Sequence, residues 1–130
     1  MGLLLDTHVL LWYLEGKTQL PPKTRLRISY GIEPVFISPA TWWEMAIKIG
    51  QEKLKLEADL PTLLRLSDAA FFKLLPISSA HILQVSRLPY PSSGHRDPFD
   101  RLLIAQAQVE NLTLLSCDGH FKDYAVRHEF

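Results

Sequence analysis

The stretch Leu3-Leu4-Leu5-Asp6 is a short apolar run that ends in an acid. A run this short, without polar alternation, is typical of a strand buried on both faces, as in a parallel sheet covered by helices. Directly after it, residues 7–14 have a helical pattern that Gly16 closes. The chain therefore starts with a buried strand that leads into a helix, which is the repeating unit of α/β folds.

The same alternation of strand and helix continues along the chain. Further strands are predicted at residues 35–37, 73–77 and 112–116, with a weak candidate at 124–126. Helices are predicted at about 22–30, 39–50, 60–72, 79–88 and 98–110, several of them opened by Pro, Ser or Asp. This order predicts an α/β fold with a mostly parallel central sheet flanked by helices on both faces, in a single domain over residues 1–130.

Composition limits the function classes. The hydrophobic fraction of 47% excludes a disordered chain, and a net charge of zero, from 14 basic and 14 acidic residues, argues against a broad basic nucleic-acid-binding face. Cys117 is the only cysteine, so no internal disulfide can form. The sequence has no secretory signal pattern and no apolar run near the roughly 20 residues of a membrane span, which predicts a cytoplasmic protein.

Four acids, distant in sequence, occupy comparable places in this pattern. Asp6 and Asp118 follow strands, and Glu44 and Asp100 lie early in helices that begin near strand ends. In open α/β sheets, ligands bind outside the carboxyl ends of the strands. The four carboxylates are therefore expected to converge on one edge of the sheet.

Carboxylates that crowd together disfavour each other's ionisation, and a divalent cation relieves this repulsion. Ligand sets made only of oxygen favour Mg²⁺ or Mn²⁺ over zinc. Such a centre can activate water and neutralise the charge that develops on a phosphodiester. The acids therefore indicate a metal-dependent nuclease.

Each acid also has a purely structural explanation. The alternatives are helix capping for Asp6 and Asp97, an ion pair with Lys48 for Glu44, a favourable helix dipole for Asp100 and a turn for Asp118. For Asp97, which precedes Pro98, the capping role is the preferred one.

Other chemistry-bearing residues give weaker signals. The five histidines show no paired metal-ligand spacing, and no glycine-rich phosphate loop is present. Cys117 has no evident base and is expected to be a small buried residue at a strand end. Aromatic and apolar residues of the third helical region are expected in the core or an interface rather than as base-stacking groups; they are Trp42, Trp43, Met45 and Ile49.

Four blocks of the chain, in this order, resemble the PIN domain, in particular the toxin ribonucleases of VapBC-type toxin–antitoxin systems. The blocks are Leu4–His8, Ser38–Glu44, His95–Ala107 and Leu114–Asp118, the last followed by Phe121. The third, His95-Arg96-Asp97-Pro98-Phe99-Asp100-Arg101 and its helical continuation, is the most specific. The resemblance covers essentially the whole chain.

The resemblance implies a set of functional properties. Asp6, Glu44, Asp100 and Asp118 would bind Mg²⁺ or Mn²⁺, with Thr7 and Ser116 as polar helpers and Asp97 as a possible accessory acid. The activity would be hydrolysis of RNA that leaves a 5′-phosphate and a 3′-hydroxyl, and the partners would be an antitoxin protein and a second copy of the chain in a homodimer. Three cations near the acids in sequence are candidate RNA contacts: Arg96, Arg101 and Lys122.

Two rival functions remain open at this point. The first is a phosphatase or phosphoryl-transfer domain with Asp6 as nucleophile, although His8 stands where that class would place a second aspartate. The second is a non-catalytic binding module in which the acids only cap helices and form turns. Divalent-metal binding separates the module from both enzymes, and RNA cleavage separates the nuclease from the phosphatase.

Overall fold

A five-stranded parallel sheet forms the centre of the protein in a computed structural model that describes residues 2–130. The strands are β1 (Leu3–Leu5), β2 (Val35–Ile37), β3 (Lys73–Leu74), β4 (Thr113–Leu115) and β5 (His128–Glu129). The helices are α1 (Thr7–Glu15), α2 (Pro22–Tyr30), α3 (Pro39–Gly50), α4 (Leu60–Ala69), α5 (Ser79–Arg87) and α6 (Pro98–Glu110), with a 3₁₀ turn at Gly119–Asp123. The predicted α/β class is confirmed.

The order of the strands changes direction between β1 and β4. Across the sheet the order is β3-β2-β1-β4-β5, and every neighbouring pair is parallel. The chain moves from β1 outward to β2 and β3, and later returns to the other side of β1 as β4. The carboxyl ends of β1 and β4 therefore border the topological switch point, the usual place for a ligand crevice in such sheets.

Alternation along β1 divides the core into two layers, because successive strand side chains point to opposite faces. Leu3 and Leu5 pack in a cluster with residues of α1 to α4. Leu4 packs in a second cluster with residues of α6. Helices therefore cover both faces of the sheet, as predicted. Within residues 2–130, no helix has the length and apolarity needed to span a membrane.

The predicted last strand at residues 124–126 is wrong, because those residues bend and the strand forms later, at His128–Glu129. The amide of Val126 donates to the carbonyl of Tyr124 at 2.9 Å, which turns the chain back on itself. Pairing with β4 begins only at Arg127, whose carbonyl accepts from the amide of Leu114 at 2.8 Å.

The third strand and the fourth helix are both shorter than predicted. The third strand, predicted over residues 73–77, has only two residues, since Pro76 has no amide hydrogen to extend the ladder. Helix α4, predicted to reach residue 72, ends at Ala69 because Phe71 adopts a left-handed backbone with φ of 62°. This reversal returns Phe72 to the core.

Candidate active site

A single pocket of about 130 Å³ at the carboxyl ends of the central strands brings the predicted acids together. Its walls are Asp6, Thr7, His8, Glu44, Lys48, Asp97, Asp100 and Asp118. Two strand-end loops, the first turns of α1 and α6, and the second and third turns of α3 supply these residues. Acids that are up to 112 positions apart in sequence, from Asp6 to Asp118, thus share one wall of a small, charged space.

Asp6 follows β1 and is only 5% exposed. Its Oδ1 accepts a hydrogen bond from the amide of Val9 at 2.9 Å, so Asp6 also caps α1. Its Oδ2 accepts from the hydroxyl of Ser116, the residue that follows β4. Burial raises the pKa of Asp6 despite these hydrogen bonds, and Asp118 adds to the increase. A carboxylate in this position gains from a nearby cation.

Glu44 reaches the pocket from the second turn of α3 and is 6% exposed. One carboxylate oxygen accepts a hydrogen bond from the hydroxyl of Thr7, and the other pairs with Lys48 at 2.7 Å. The expected ion pair therefore exists, and it lies in the pocket rather than on an open helix face. The hydrogen bond to Glu44 raises the pKa of Lys48, which keeps this ammonium charged.

Asp97 and Asp100 open α6 and have different roles in it. The carboxylate of Asp97 accepts from the amide of Asp100 at 2.9 Å, which confirms Asp97 as the helix cap. Oδ2 of Asp100 lies 3.0 Å from Nε2 of His95. Burial raises the pKa of Asp100 to about 6, and the nearby Asp97 and Asp118 carboxylates contribute to the increase. The carboxylate of Asp97 is therefore bound to the backbone of its own helix, whereas the carboxylate of Asp100 is not.

Asp118 is half-buried and borders the 3₁₀ turn that follows β4. Its Oδ1 accepts from the amide of His120 at 2.9 Å, so the predicted turn role is real. The amide of Asp118 donates to the hydroxyl oxygen of Ser116 at 2.9 Å. Ser116 therefore joins two acids, since its own hydroxyl proton is directed to Asp6.

The donor set fits a hard divalent cation, because the converging acids offer only oxygen ligands at neutral pH. Within residues 2–130, no three acid, histidine or cysteine side chains already stand in the arrangement of a metal site. Their oxygens are instead engaged by hydroxyls, amides, Lys48 and His95. Small side-chain rotations would therefore accompany binding of a cation, whose charge would offset the repulsion among the acids.

The three candidate RNA-contacting cations have different surroundings. Arg96 and Lys122 are exposed, and the guanidinium of Arg96 lies 4.5 Å from the centre of the Tyr90 ring. Arg101 is 4% exposed and donates to the backbone carbonyls of Leu88 and Pro89 at 3.1 and 2.9 Å. Burial and these bonds argue against direct contact between Arg101 and an RNA phosphate.

The expectation that Cys117 is buried is wrong, whereas the expectation that Trp43 lies in the core or an interface is restricted by its exposure to an interface. Cys117 is exposed rather than buried, and desolvation together with the Asp6 carboxylate raises the pKa of its thiol, which disfavours the thiolate. Trp43 is 63% exposed and makes an edge contact with Phe99, whereas Met45 is in the core as expected. The exposed indole of α3 thus contacts α6, the helix that carries Asp100.

The contact of His95 was not predicted from the sequence, and the ion pair of Lys48 was predicted on an exposed helix face rather than in the pocket. Lys48 was assigned only as an ion-pair partner, although its position four residues after Glu44 places it on the same helix face. His95 was set aside for lack of metal-ligand spacing, yet it is 8% exposed and contacts Asp100 directly. Its place in the block before Asp97 was the available signal.

Comparison with known proteins gives a family match and several similar folds. The sequence profile of the PIN domain family matches residues 3–127. VapBC2 from Rickettsia felis, bound to a promoter DNA fragment, contains a chain 17% identical with a TM-score of 0.75, over 99% of this chain and 98% of that one. FitAcB from Neisseria gonorrhoeae gives 19% identity and a TM-score of 0.70 over 98% and 96%.

A toxin–antitoxin complex from Klebsiella pneumoniae also contains a chain of similar fold, with 21% identity, a TM-score of 0.60 and coverage of 95% and 91%. At these identities the similarity concerns the fold. No curated protein shows significant sequence similarity to this chain.

Proposed function

The chain belongs to the PIN domain family, and from this premise we propose that it is a metal-dependent endoribonuclease acting as the toxin of a type II toxin–antitoxin system. Nucleases of this family generally use a divalent metal ion. The observation that carries the proposal is the convergence of Asp6, Glu44, Asp100 and Asp118 in one pocket beside the ends of β1 and β4. The substrate is RNA, and the site of action is the cytoplasm.

The four acids would hold Mg²⁺ or Mn²⁺, which in such a centre supplies an activated water and neutralises charge on a phosphodiester. The protein's own side chains prepare the pocket for this task. Ser116 holds Asp6 and Thr7 holds Glu44 by hydroxyl donation, so both buried carboxylates have a fixed orientation before a cation arrives. Because these two side chains are already oriented, binding of a cation costs little of their conformational entropy.

The position of Lys48 is an argument for a substrate that contains phosphate. It is the lysine of the pocket wall, it pairs with Glu44, and its side chain is 35% exposed. Its ammonium can therefore approach a phosphate at the mouth of the pocket while it remains near the acids. Arg96 and Lys122 are exposed cations that can extend this contact along an RNA backbone, whereas the buried Arg101 is left out of the RNA-binding set.

The toxin role and the antitoxin protein partner rest on association with proteins of similar fold, and the homodimer rests on the family resemblance alone. The Klebsiella pneumoniae structure is described as a toxin–antitoxin complex, and those from Rickettsia felis and Neisseria gonorrhoeae as VapBC2 and FitAcB. For this chain we expect toxicity on expression alone and protection by a small protein encoded nearby. Normal growth of cells that contain active, unpartnered protein would contradict the toxin role.

The two rival functions gain no support from the contacts. A nucleophilic Asp6 lacks the second aspartate of the phosphatase class, because His8 stands at that position and also lies in the pocket wall. A binding module explains the caps formed by Asp6, Asp97 and Asp118, but it gives no reason for Glu44 to be buried beside them.

The test is RNA cleavage by the purified protein with Mg²⁺ or Mn²⁺ as the only added metal, followed by sequencing of the RNA ends. We expect defined cuts with 5′-phosphate ends that a chelator prevents and that Asp6→Asn lacks. If a broad panel of cellular RNAs stays intact with either metal, or if the wild type and Asp6→Asn give equal cleavage, the nuclease function is refuted.

A further inference from the structure

Three buried side chains that the proposed mechanism does not use lie behind Asp100. His95 is 8% exposed, Tyr124 is 6% and Arg101 is 4%. Nε2 of His95 lies 3.0 Å from Oδ2 of Asp100, and Nδ1 lies 2.9 Å from the hydroxyl of Tyr124. The same hydroxyl lies 3.2 Å from Nη1 of Arg101. One continuous chain of hydrogen bonds therefore runs from Arg101 to Asp100.

The chemistry of these groups gives the chain a direction. A guanidinium can only donate, so the Tyr124 oxygen accepts from Arg101. The tyrosine proton then has two possible acceptors, Nδ1 of His95 at 2.9 Å and the backbone carbonyl of His95 at 3.5 Å, and the shorter contact is the better hydrogen bond. A ring nitrogen that accepts a hydrogen bond carries no proton. The ring proton is therefore on Nε2, where it donates to Asp100.

Arg101 is well placed to set this direction because it is fixed on several sides. Its Nη2 donates to the carbonyl of Leu88 at 3.1 Å, and Nη1 also donates to that of Pro89 at 2.9 Å. The guanidinium lies 4.0 Å from the centre of the Tyr90 ring. A guanidinium has no acceptor atom, so Arg101 cannot accept a hydrogen bond from Tyr124.

We propose that Arg101, Tyr124 and His95 form a directional hydrogen-bond chain that fixes the tautomer of His95 and thereby orients the carboxylate of Asp100 in the pocket. All three are positioning residues. With Oδ2 engaged by Nε2–H, the carboxylate of Asp100 keeps Oδ1 for the pocket. Residues that hold a ligand in this way typically contribute about 10-fold to 100-fold to metal affinity. The role of Asp100 as a metal ligand rests on the proposed function, whereas the tautomer of His95 does not.

The tautomer is read directly by long-range proton–nitrogen NMR correlations of ¹⁵N-labelled, metal-free protein at neutral pH. In the wild type we expect a proton on Nε2 and none on Nδ1 of His95. Tyr124→Phe keeps the ring but removes the donor to Nδ1, so a mixture of tautomers is expected. Tyr13→Phe is the matched control: its hydroxyl contacts Ser29 at 2.7 Å, outside the pocket, and the His95 signals should not change.

The functional consequence is read as Mn²⁺ affinity by calorimetry, with melting temperatures to verify folding. Tyr124→Phe should weaken Mn²⁺ binding by about 10-fold, and Tyr13→Phe should not. His95→Leu should weaken it too, while His95→Gln, whose amide can donate to Asp100 and accept from Tyr124, should recover most of the affinity. A residue that only fills space would give equal affinities for His95→Gln and His95→Leu.

The proposal is overturned if wild-type His95 carries its proton on Nδ1 or on both nitrogens, if Tyr124→Phe leaves tautomer and affinity unchanged, or if His95→Gln and His95→Leu bind Mn²⁺ equally. None of these measurements uses RNA. A wild type with the expected tautomer and Mn²⁺ affinity that cleaves no RNA would refute the nuclease function and leave the hydrogen-bond chain intact.

Discussion

The two sides of the acidic pocket are held in different ways. On the β1 side, Asp6 and Glu44 are 5% and 6% exposed, and each accepts a hydrogen bond from a buried hydroxyl, of Ser116 and Thr7 respectively. On the α6 side, Asp100 is 22% exposed at its side chain and depends on His95 from a loop. Asp118, which follows β4, caps a local turn.

This difference indicates how the pocket would accommodate a cation. The carboxylates of the β1 side are fixed by the core of the sheet and cannot move far. On the other side, Asp100 lies in the first turn of α6 and Asp118 at a 3₁₀ turn, and both are more exposed than Asp6 and Glu44. We expect the small adjustment that binding needs to come mainly from Asp118 and from Oδ1 of Asp100, because Oδ2 of Asp100 stays in contact with His95.

The largest expected effect is on the β1 side, at Asp6. Asp6→Asn keeps an oxygen for the amide of Val9, so α1 stays capped, but it removes a charged ligand. We expect RNA cleavage to be abolished, a fall well beyond the roughly 100-fold upper effect of residues that only hold a ligand. Asp59→Asn is the matched control, because Asp59 caps α4 by accepting from the amide of Thr62, outside the pocket. Equal losses in both variants would contradict a special role for Asp6.

On the α6 side, adjacent acids should separate into a cap and a ligand. Asp97→Ser keeps a capping oxygen and should retain most cleavage, while Asp97→Ala should cost about 1 kcal/mol of stability. Asp100→Asn should abolish cleavage and leave the fold intact. Melting curves and cleavage rates of the three variants test this. Loss of activity in Asp97→Ser to the level of Asp100→Asn would show that Asp97 belongs to the site, which its place in the pocket wall allows.

The smallest expected effect is the pH dependence of metal-free stability. The pKa of Asp100 is raised to about 6, so its contribution to stability is present below the unfolded value near 3.8 and is lost as pH rises through about 6. Between pH 5 and pH 7.5 the wild type should lose about 1 kcal/mol through this group. Asp100→Asn cannot titrate and should show that much less decrease. Identical pH profiles from denaturant unfolding would contradict a proton-binding Asp100.

The sequence predicted the convergence of the acids because strand ends and helix starts are local features. Asp6 follows an apolar run and Asp97-Pro98 is a typical helix opening, so their positions on the sheet edge followed from parallel topology. The bend at Tyr124 was not predicted, and the buried hydroxyl of Tyr124 contacts Arg101 and His95, which lie 23 and 29 residues away in sequence.

Arg101 shows the same limit. Its nearness in sequence to Asp100 made Arg101 a candidate RNA contact, and arginine side chains are mostly exposed. Its burial depends on carbonyls of the loop at Leu88 and Pro89 and on the ring of Tyr90, none of which has a local signal near residue 101. Whether such a side chain is buried depends on contacts with residues distant in sequence, which the periodicity of a helix does not show.

The most direct test of the central claim, that these acids form one divalent-metal centre, is a crystal structure of the protein with Mn²⁺, with the ion located by its anomalous scattering. We predict an anomalous peak inside the pocket, in contact with carboxylate oxygens from Asp6 and Asp100 and within reach of Glu44 and Asp118. The peak should disappear in Asp6→Asn and persist in Asp59→Asn. An active protein whose Mn²⁺ lies elsewhere, or whose pocket stays empty at saturating Mn²⁺, would contradict the account.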